Sequence, residues 1–160
     1  MPEPYFAETM ADLHVAGIAQ MTGLQMLEGM LAGTLPAPPI ARTLNFRLHA
    51  VANGRAVFRG TAAFDVMNPN GTVHGGWYGT LLDSCMACAV LTRIGAGQAY
   101  TTLEYKVNIV RPVPLGVEVD AIGEIEHVGR STGVSLGRLV GVADGRLYAT
   151  GSTTCIVLGG

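Results

Sequence analysis

Asn68-Pro-Asn-Gly-Thr-Val-His-Gly-Gly-Trp-Tyr-Gly-Thr-Leu-Leu-Asp83 begins as a polar turn, passes through a glycine pair and ends as an apolar helix. The helical part carries a single carboxylate, Asp83, among Leu81, Leu82, Cys85, Met86 and Cys88. Burying a lone charge in such a run is costly unless the charge is paired or used. Gly75 and Gly76 sit where the helix starts. There the first backbone N–H groups lack intrahelical partners and point, with the helix dipole, toward whatever approaches. A cluster of donors followed by a buried acid is a set of parts for carbonyl chemistry.

The bulk composition narrows the classes around that stretch. A chain of 160 residues, 49% hydrophobic and only 14% charged, fits one domain with a sizeable core. It is too apolar to be disordered, and such a composition fits surface hidden in an oligomer. A net charge of −2 supplies no basic field for nucleic acid and no polybasic membrane patch. Glu3, Glu8 and Asp12 stand where a signal peptide would be basic, and no apolar run is long enough to span a bilayer. Three cysteines, Cys85, Cys88 and Cys155, make an odd count without framework spacing, so reduced thiols and a cytoplasmic location are expected. Cys85 and Cys88 form a C-x-x-C, but inside the helix rather than at its N-terminus, where the dipole would activate a thiol. Core packing is the expectation for both. No metal-ligand constellation is visible, and no cofactor is expected.

The flanking chain divides by period. Residues 1–35 read as helical, with Thr22 capping a turn through Leu24, Leu27, Met30 and Leu31, and Gly33 and Pro36 supplying the stop. The upstream piece Glu8 to Gln20 is weaker and contains Gly17. Met10, Met21, Met26 and Met30 make this region adaptable, either as a helix packed on the domain or as a lid over an apolar ligand. Leu35 to Ile40 is an extended, proline-rich link. Leu44, Phe46, Leu48 and Ala50 then alternate with polar residues, as in a half-buried strand. Asn53-Gly54 is a two-residue hairpin turn, and the return strand runs from about Arg55 to Phe64. After a helix over 75–93 come four strand-like runs: 99–110, 116–128, 132–142 and 146–158. Their short links predict a four-strand meander. The expectation is therefore α+β: an antiparallel sheet around one long helix, preceded by an extension over 1–39, with the main domain at 40–160.

Asn68-x-x-Gly71-x-x-His74-Gly75-Gly76, with an Asp nine residues after the His, resembles the hotdog-fold acyl-CoA thioesterases of the PaaI-like (phenylacetyl-CoA thioesterase) type. Tyr100-Thr-Thr-Leu-Glu-Tyr-Lys-Val-Asn-Ile-Val-Arg-Pro112 looks like the strand that follows the helix in that family. The resemblance covers roughly residues 40–158 in the right order. It implies that Asp83 is the catalytic carboxylate, as general base for a water or as nucleophile on the thioester. It further implies that the Gly75 N–H, helped by Gly76, forms the oxyanion hole, that Asn68 holds water or polarises the carbonyl, and that His74 orients the motif. Thr102 falls where the family often has a water-positioning hydroxyl, with Thr101 as a less apt substitute. With the resemblance, Arg111 and Arg130 at strand ends become contacts for the phosphates of coenzyme A. Trp77, on the first helical turn, shapes the acyl pocket or packs a dimer.

Helix length adds a constraint of its own. Gly76 and Asp83 lie about 10 Å apart along one helix, whereas acid and donor must each come within about 3 Å of the reacting group. Two helices packed antiparallel would satisfy both, so a homodimer is expected as the minimum unit, with dimers of dimers as the next assembly. Two alternatives share the fold. A hotdog hydratase or dehydratase would need a different acid–base pair; Asp65 and His74 are nine residues apart, and the helix carries Asp where a Glu would be required. A non-catalytic acyl-CoA-binding module would have no use for Asn68, Gly75, Asp83 and Thr102 together.

Overall fold

The computed structural model of the chain describes residues 5–159. Its centre is α3, Gly75–Leu91. His74 caps this helix from an extended conformation, its ring Nδ1 accepting the Gly76 N–H at 2.9 Å. Ten of its seventeen residues are buried, among them Tyr78, Leu81, Leu82, Cys85, Met86 and Val90. A helix that is apolar nearly all round belongs inside a core rather than on a surface.

Six strands wrap it: β1 Phe46–Ala52, β2 Arg55–Thr61, β3 Ala99–Ile109, β4 Glu118–Val128, β5 Thr132–Gly141 and β6 Leu147–Leu158. They form one sheet, in the order β1-β2-β4-β5-β6-β3, with every neighbouring pair antiparallel. The expected α+β architecture, a sheet around one long helix, is therefore present. The four-strand meander is not: only β4, β5 and β6 meander, and β3 crosses to the far edge to pair with β6. The step spans three interstrand spacings, about 14 Å. The connecting residues 110–117, kept extended by Pro112 and Pro114, reach up to about 26 Å. Buried Val113 anchors the crossing by donating its N–H to the Tyr78 hydroxyl at 2.7 Å.

The helix lies unusually close to the sheet. Gly123 pairs with Gly137, and Gly137 with Gly151, so three glycines align across β4, β5 and β6. A Cβ on Gly123 would overlap the Cys85 carbonyl; one on Gly137 would stand 2.7 Å from Met86 Cγ, and one on Gly151 3.0 Å from Met86 Cε. The hairpin turn at Asn53-Gly54 forms with Gly54 at φ 81°, and its N–H docks on Thr92 Oγ1 at 2.7 Å, just past the end of the helix.

The N-terminal region departs from the helical expectation for 1–35. Residues 1–4 lie outside the described part. Beyond them only a single 3-10 turn, Ile18–Gln20, and α1, Gly23–Ala32, are helical. Around Glu8 the backbone bonds to side chains instead. The Asp12 carboxylate accepts the N–H groups of Glu8 and Thr9 at 2.9 and 2.8 Å, a local alternative to helix. Gly17, at φ 85°, then interrupts the chain. α1 itself starts and stops as read: Thr22 and Gln25 form a reciprocal capping box, and Gly33 closes the helix at φ 74°. The proline-rich link is not extended throughout, since Pro39–Thr43 forms a short helix, α2. β1 begins at Phe46 rather than Leu44 because Asn45 takes φ 53° and donates its amide to the Thr61 carbonyl at 2.9 Å.

The glycine alignment makes a graded prediction. Urea unfolding of single alanine variants should show a loss of about 3 kcal/mol or more at Gly123, where backbone blocks the new methyl. The loss should be smaller, about 1–2 kcal/mol, at Gly151, where the tip of Met86 can yield but the Lys106 carbonyl at 3.1 Å must also give way.

Candidate active site

Asp83 stands midway along α3 and is half-buried. Thr102 on β3 donates its hydroxyl to Asp83 Oδ1 at 2.9 Å. Burial raises the Asp83 pKa above the usual carboxylate value, and the Thr102 hydrogen bond opposes the rise. The result is a desolvated carboxylate held in one orientation, a better proton acceptor than a surface Asp.

Thr102 reaches α3 because of a break in strand parity. In β3, Thr102 opposes Cys155 and Glu104 opposes Thr154, leaving Leu103 as the extra residue of a bulge. Before the bulge Tyr100 and Thr102 face the helix. After it the inward set becomes Tyr105, Val107 and Ile109, with the Tyr105 ring over Gly79 and Ile109 near Gly75. Uninterrupted alternation would have turned Glu104, Lys106 and Asn108 inward.

Asp83 and Thr102 line a cavity of about 380 Å³ enclosed by α1, β1, α3 and β3. Ser84, Ala87, Cys88 and Leu91 continue its wall along α3, and Tyr100 of β3 and Leu27 and Met30 of α1 add to the lining. Burial pushes the Cys88 thiol up to about 12 and raises the fully buried Cys85 thiol well above its ordinary value, so neither is a thiolate at neutral pH. The C-x-x-C is therefore packing, as expected. Among the described residues no group of three His, Cys, Asp or Glu side chains is placed to hold a metal ion.

The N-terminus of α3 supplies the second feature. The His74 ring occupies the Gly76 N–H, while among the described residues the Gly75 N–H has no acceptor. Gly75 is exposed, and the free donor of the pair is Gly75 alone. It lies about 12 Å from Asp83 along the helix axis. Asn68 belongs to this end too, but its amide is engaged locally. Its Oδ1 accepts from the Asn70 and Thr72 N–H groups at 2.9 and 3.2 Å, and its Nδ2 donates to Thr72 Oγ1 at 2.8 Å. Within one chain Asn68 shapes the turn that presents His74 and Gly75.

Other expected positions fall elsewhere. Trp77 does not line the cavity: it is 2% exposed, stacks edge-on against Tyr78 and donates its indole N–H to the Leu44 carbonyl at 2.9 Å. That expectation is corrected, because Trp77 and Tyr78 face the core while Gly75 and Gly76 of the same turn stay exposed. Thr101 lines the cavity as an exposed residue, but Thr102 is the one that meets the acid. Arg111, exposed, donates to the Leu147 carbonyl at 3.1 Å. Arg130 is exposed in the turn between β4 and β5. The Arg111 N–H bonds to Tyr148 and the carbonyl of Ser131 accepts from Val157, so the two arginines flank opposite ends of β6. At about 3.3 Å per residue they are about 30 Å apart, and one chain does not bring them together. Tyr100, Leu27 and Met30 were not singled out as site residues. Tyr100 was within reach as the residue two before Thr102 on the same strand face, whereas nothing in the local pattern of α1 says which cavity it closes.

The family model of the thioesterase superfamily matches residues 70–146. No curated protein matches the chain. Among solved structures, a phenylacetic acid degradation-related protein from Ralstonia eutropha is 31% identical, with a TM-score of 0.74 over 82% of this chain and 98% of the other. A mutant of the phenylacetic acid degradation protein PaaI from Thermus thermophilus is 29% identical, with a TM-score of 0.67 over 74% of this chain and 97% of that one. A hypothetical thioesterase protein from Streptococcus pneumoniae, solved with coenzyme A, is 25% identical, with a TM-score of 0.65 over 72% and 87%.

The raised pKa of Asp83 has a consequence for stability. A carboxyl group whose folded pKa exceeds its unfolded value favours the folded state below the unfolded value, and that contribution is lost as pH rises through the folded one. Asp83→Asn should therefore melt higher than the parent chain at pH 7, the difference narrowing as pH approaches 4. Thr102→Val removes the hydrogen bond that lowers the pKa. The Asp83 carboxyl should then titrate at higher pH, as read by NMR of its side-chain carbon.

Proposed function

The chain belongs to the thioesterase superfamily as a hotdog-fold, PaaI-like acyl-CoA thioesterase, and from that premise we propose that it hydrolyses its substrate at a site completed by two subunits. The observation that carries this reading is the desolvated Asp83 carboxylate, held by Thr102 in the wall of an apolar cavity. In the proposed reaction Asp83 takes a proton from water, and the resulting hydroxide bonds to the thioester carbonyl carbon. The carbonyl oxygen becomes an oxyanion and accepts the Gly75 N–H of the partner subunit, a helix N-terminal donor aimed at developing charge. Collapse breaks the carbon–sulfur bond, and the departing thiolate takes the proton back from Asp83. The products are the free acid and coenzyme A.

The partner subunit enters because Asp83 and Gly75 of one chain lie about 12 Å apart. Two features support that assembly. β3 is a long open edge of the sheet; it carries Leu103 and Ile109 at 57% and 47% exposure, and Val110 just beyond it is 57% exposed. Gly75 and Gly76 stand exposed beside that edge. An antiparallel pair of α3 helices would also bring Arg111 of one subunit and Arg130 of its partner toward the same end, where the phosphates of coenzyme A carry their charge.

Gly75→Pro separates the donor from the fold. Proline is well tolerated at the first helical position, and His74 already has the extended backbone a following proline requires. The variant should keep its melting temperature within a few degrees while thiol release from acyl-CoA falls about 10²–10³-fold in kcat. Asp83→Asn should reduce kcat by about 10²–10⁴-fold. Unfolding and refolding the two inactive chains together should restore about a quarter of the parental activity, because half of the mixed dimers' sites would be intact. Absence of any recovery would count against the shared site.

A further inference from the structure

The chamber beside Asp83 is lined by both polar and apolar groups. Asp83, Thr102 and Arg47 are among the polar ones, and Ala87, Leu91, Leu27 and Met30 among the apolar. Asp83, Ala87 and Leu91 follow one another at four-residue spacing on one face of α3, which gives the chamber an axis parallel to the helix. From Asp83 to Leu91 that axis measures about 12 Å. A single methyl, Ala87, is the floor at mid-length.

The far end is fixed in place. The Gly23 N–H bonds to the Ile94 carbonyl at 3.0 Å, and a Cβ on Gly23 would overlap the Leu91 carbonyl, so the start of α1 sits directly on the end of α3. The Gly97 N–H holds the preceding turn through Ala19 at 2.9 Å. At the other end of α1, Thr34 closes on the Gly29 carbonyl at 3.1 Å and Leu35 packs where any Cβ on Gly29 would fall. Leu27, at 1% exposure, is part of the interior. An element tied at both ends and packed in between is a wall rather than a lid.

Building on the thioesterase reading, we infer that α1 is the end wall of the acyl chamber and that the substrate is a linear, medium-chain acyl-CoA. With the carbonyl at Asp83, an extended chain advancing about 1.25 Å per carbon fills 12 Å with about eight to ten carbons, the bond length being about 1.5 Å. Leu27, Met30 and Leu91 meet its terminal methyl. A compact aryl group would occupy only the Asp83 half and leave the apolar end unfilled. Ala87 and Met30 set width at mid-length and length at the end, and so determine chain-length preference.

The test is a chain-length profile of the full-length protein. Coenzyme A release is measured with saturated acyl-CoAs from butyryl to hexadecanoyl and with phenylacetyl-CoA. The parent chain should reach its highest kcat/KM at octanoyl- or decanoyl-CoA. Ala87→Leu should lower the decanoyl-to-butyryl ratio of kcat/KM by about tenfold or more. Met30→Ala should act in the opposite direction and move the maximum to longer chains by about two carbons. Because each readout is a ratio within one protein, a reduced folded fraction leaves it unchanged. A maximum at phenylacetyl- or butyryl-CoA that neither substitution moves would overturn the inference and leave the thioesterase reading standing. Absence of release from every acyl-CoA would overturn that reading, and the inference with it.

Discussion

The contact between Cys85–Met86 of α3 and the aligned glycines of β4, β5 and β6 governs the rest of the molecule. Without side chains at Gly123, Gly137 and Gly151, helix backbone approaches strand backbone, and the sheet curls closely around the helix. That depth sets which helical faces are covered. The face carrying Cys85 and Met86 is sealed by the middle of the sheet, while the face carrying Asp83, Ala87 and Leu91 looks toward the gap between the two sheet edges, β1 and β3. A chamber between helix and sheet edges, with a carboxylate in its wall, follows from where the tight contact is made.

The chamber accounts for a charge that would otherwise only destabilise. Asp83 is ionised at a cost because burial disfavours its charged form, and one hydroxyl, Thr102, offsets only part of that cost. The other ionic contacts behave differently. Arg59 holds Asp120 in a two-point pair at 2.7 and 2.9 Å on the outer side of the sheet, where the pairing is local and complete. The contrast between an under-compensated acid inside and a fully matched one outside marks which carboxylate has work other than folding.

Much of this was legible in the residues because the controlling physics is local. Thr22, Gln25 and Gly33 bound α1 through hydrogen bonds within a few residues, and Asn53-Gly54 turns the first hairpin in two. Asp83 and Thr102 were each singled out from the motif and its following strand, though not as a hydrogen-bonded pair. Three things were not legible. Which edge β3 joins depends on where the 110–117 link can be anchored, and its anchor, Tyr78, lies on another element. That His74 removes Gly76 from the pair of donors depends on the orientation of one ring. That α1 closes the chamber depends on Gly23 fitting against Leu91, a contact between segments nearly seventy positions apart.

The bulge at Leu103 divides β3 into two segments with opposite phase. Up to Thr102 the strand addresses the chemistry beside Asp83; from Tyr105 onward it addresses the glycine-rich start of the helix. A single extra residue thus lets one strand present hydroxyls inward at one end and apolar groups inward at the other, although both lie against the same helix. The composition of each half is thereby uncoupled from the other. Leu103, which touches neither reacting group, acts as a spacer between two independent surfaces; pairing it regularly, without the bulge, would turn Glu104, Lys106 and Asn108 toward the glycines while leaving Thr102 where it is.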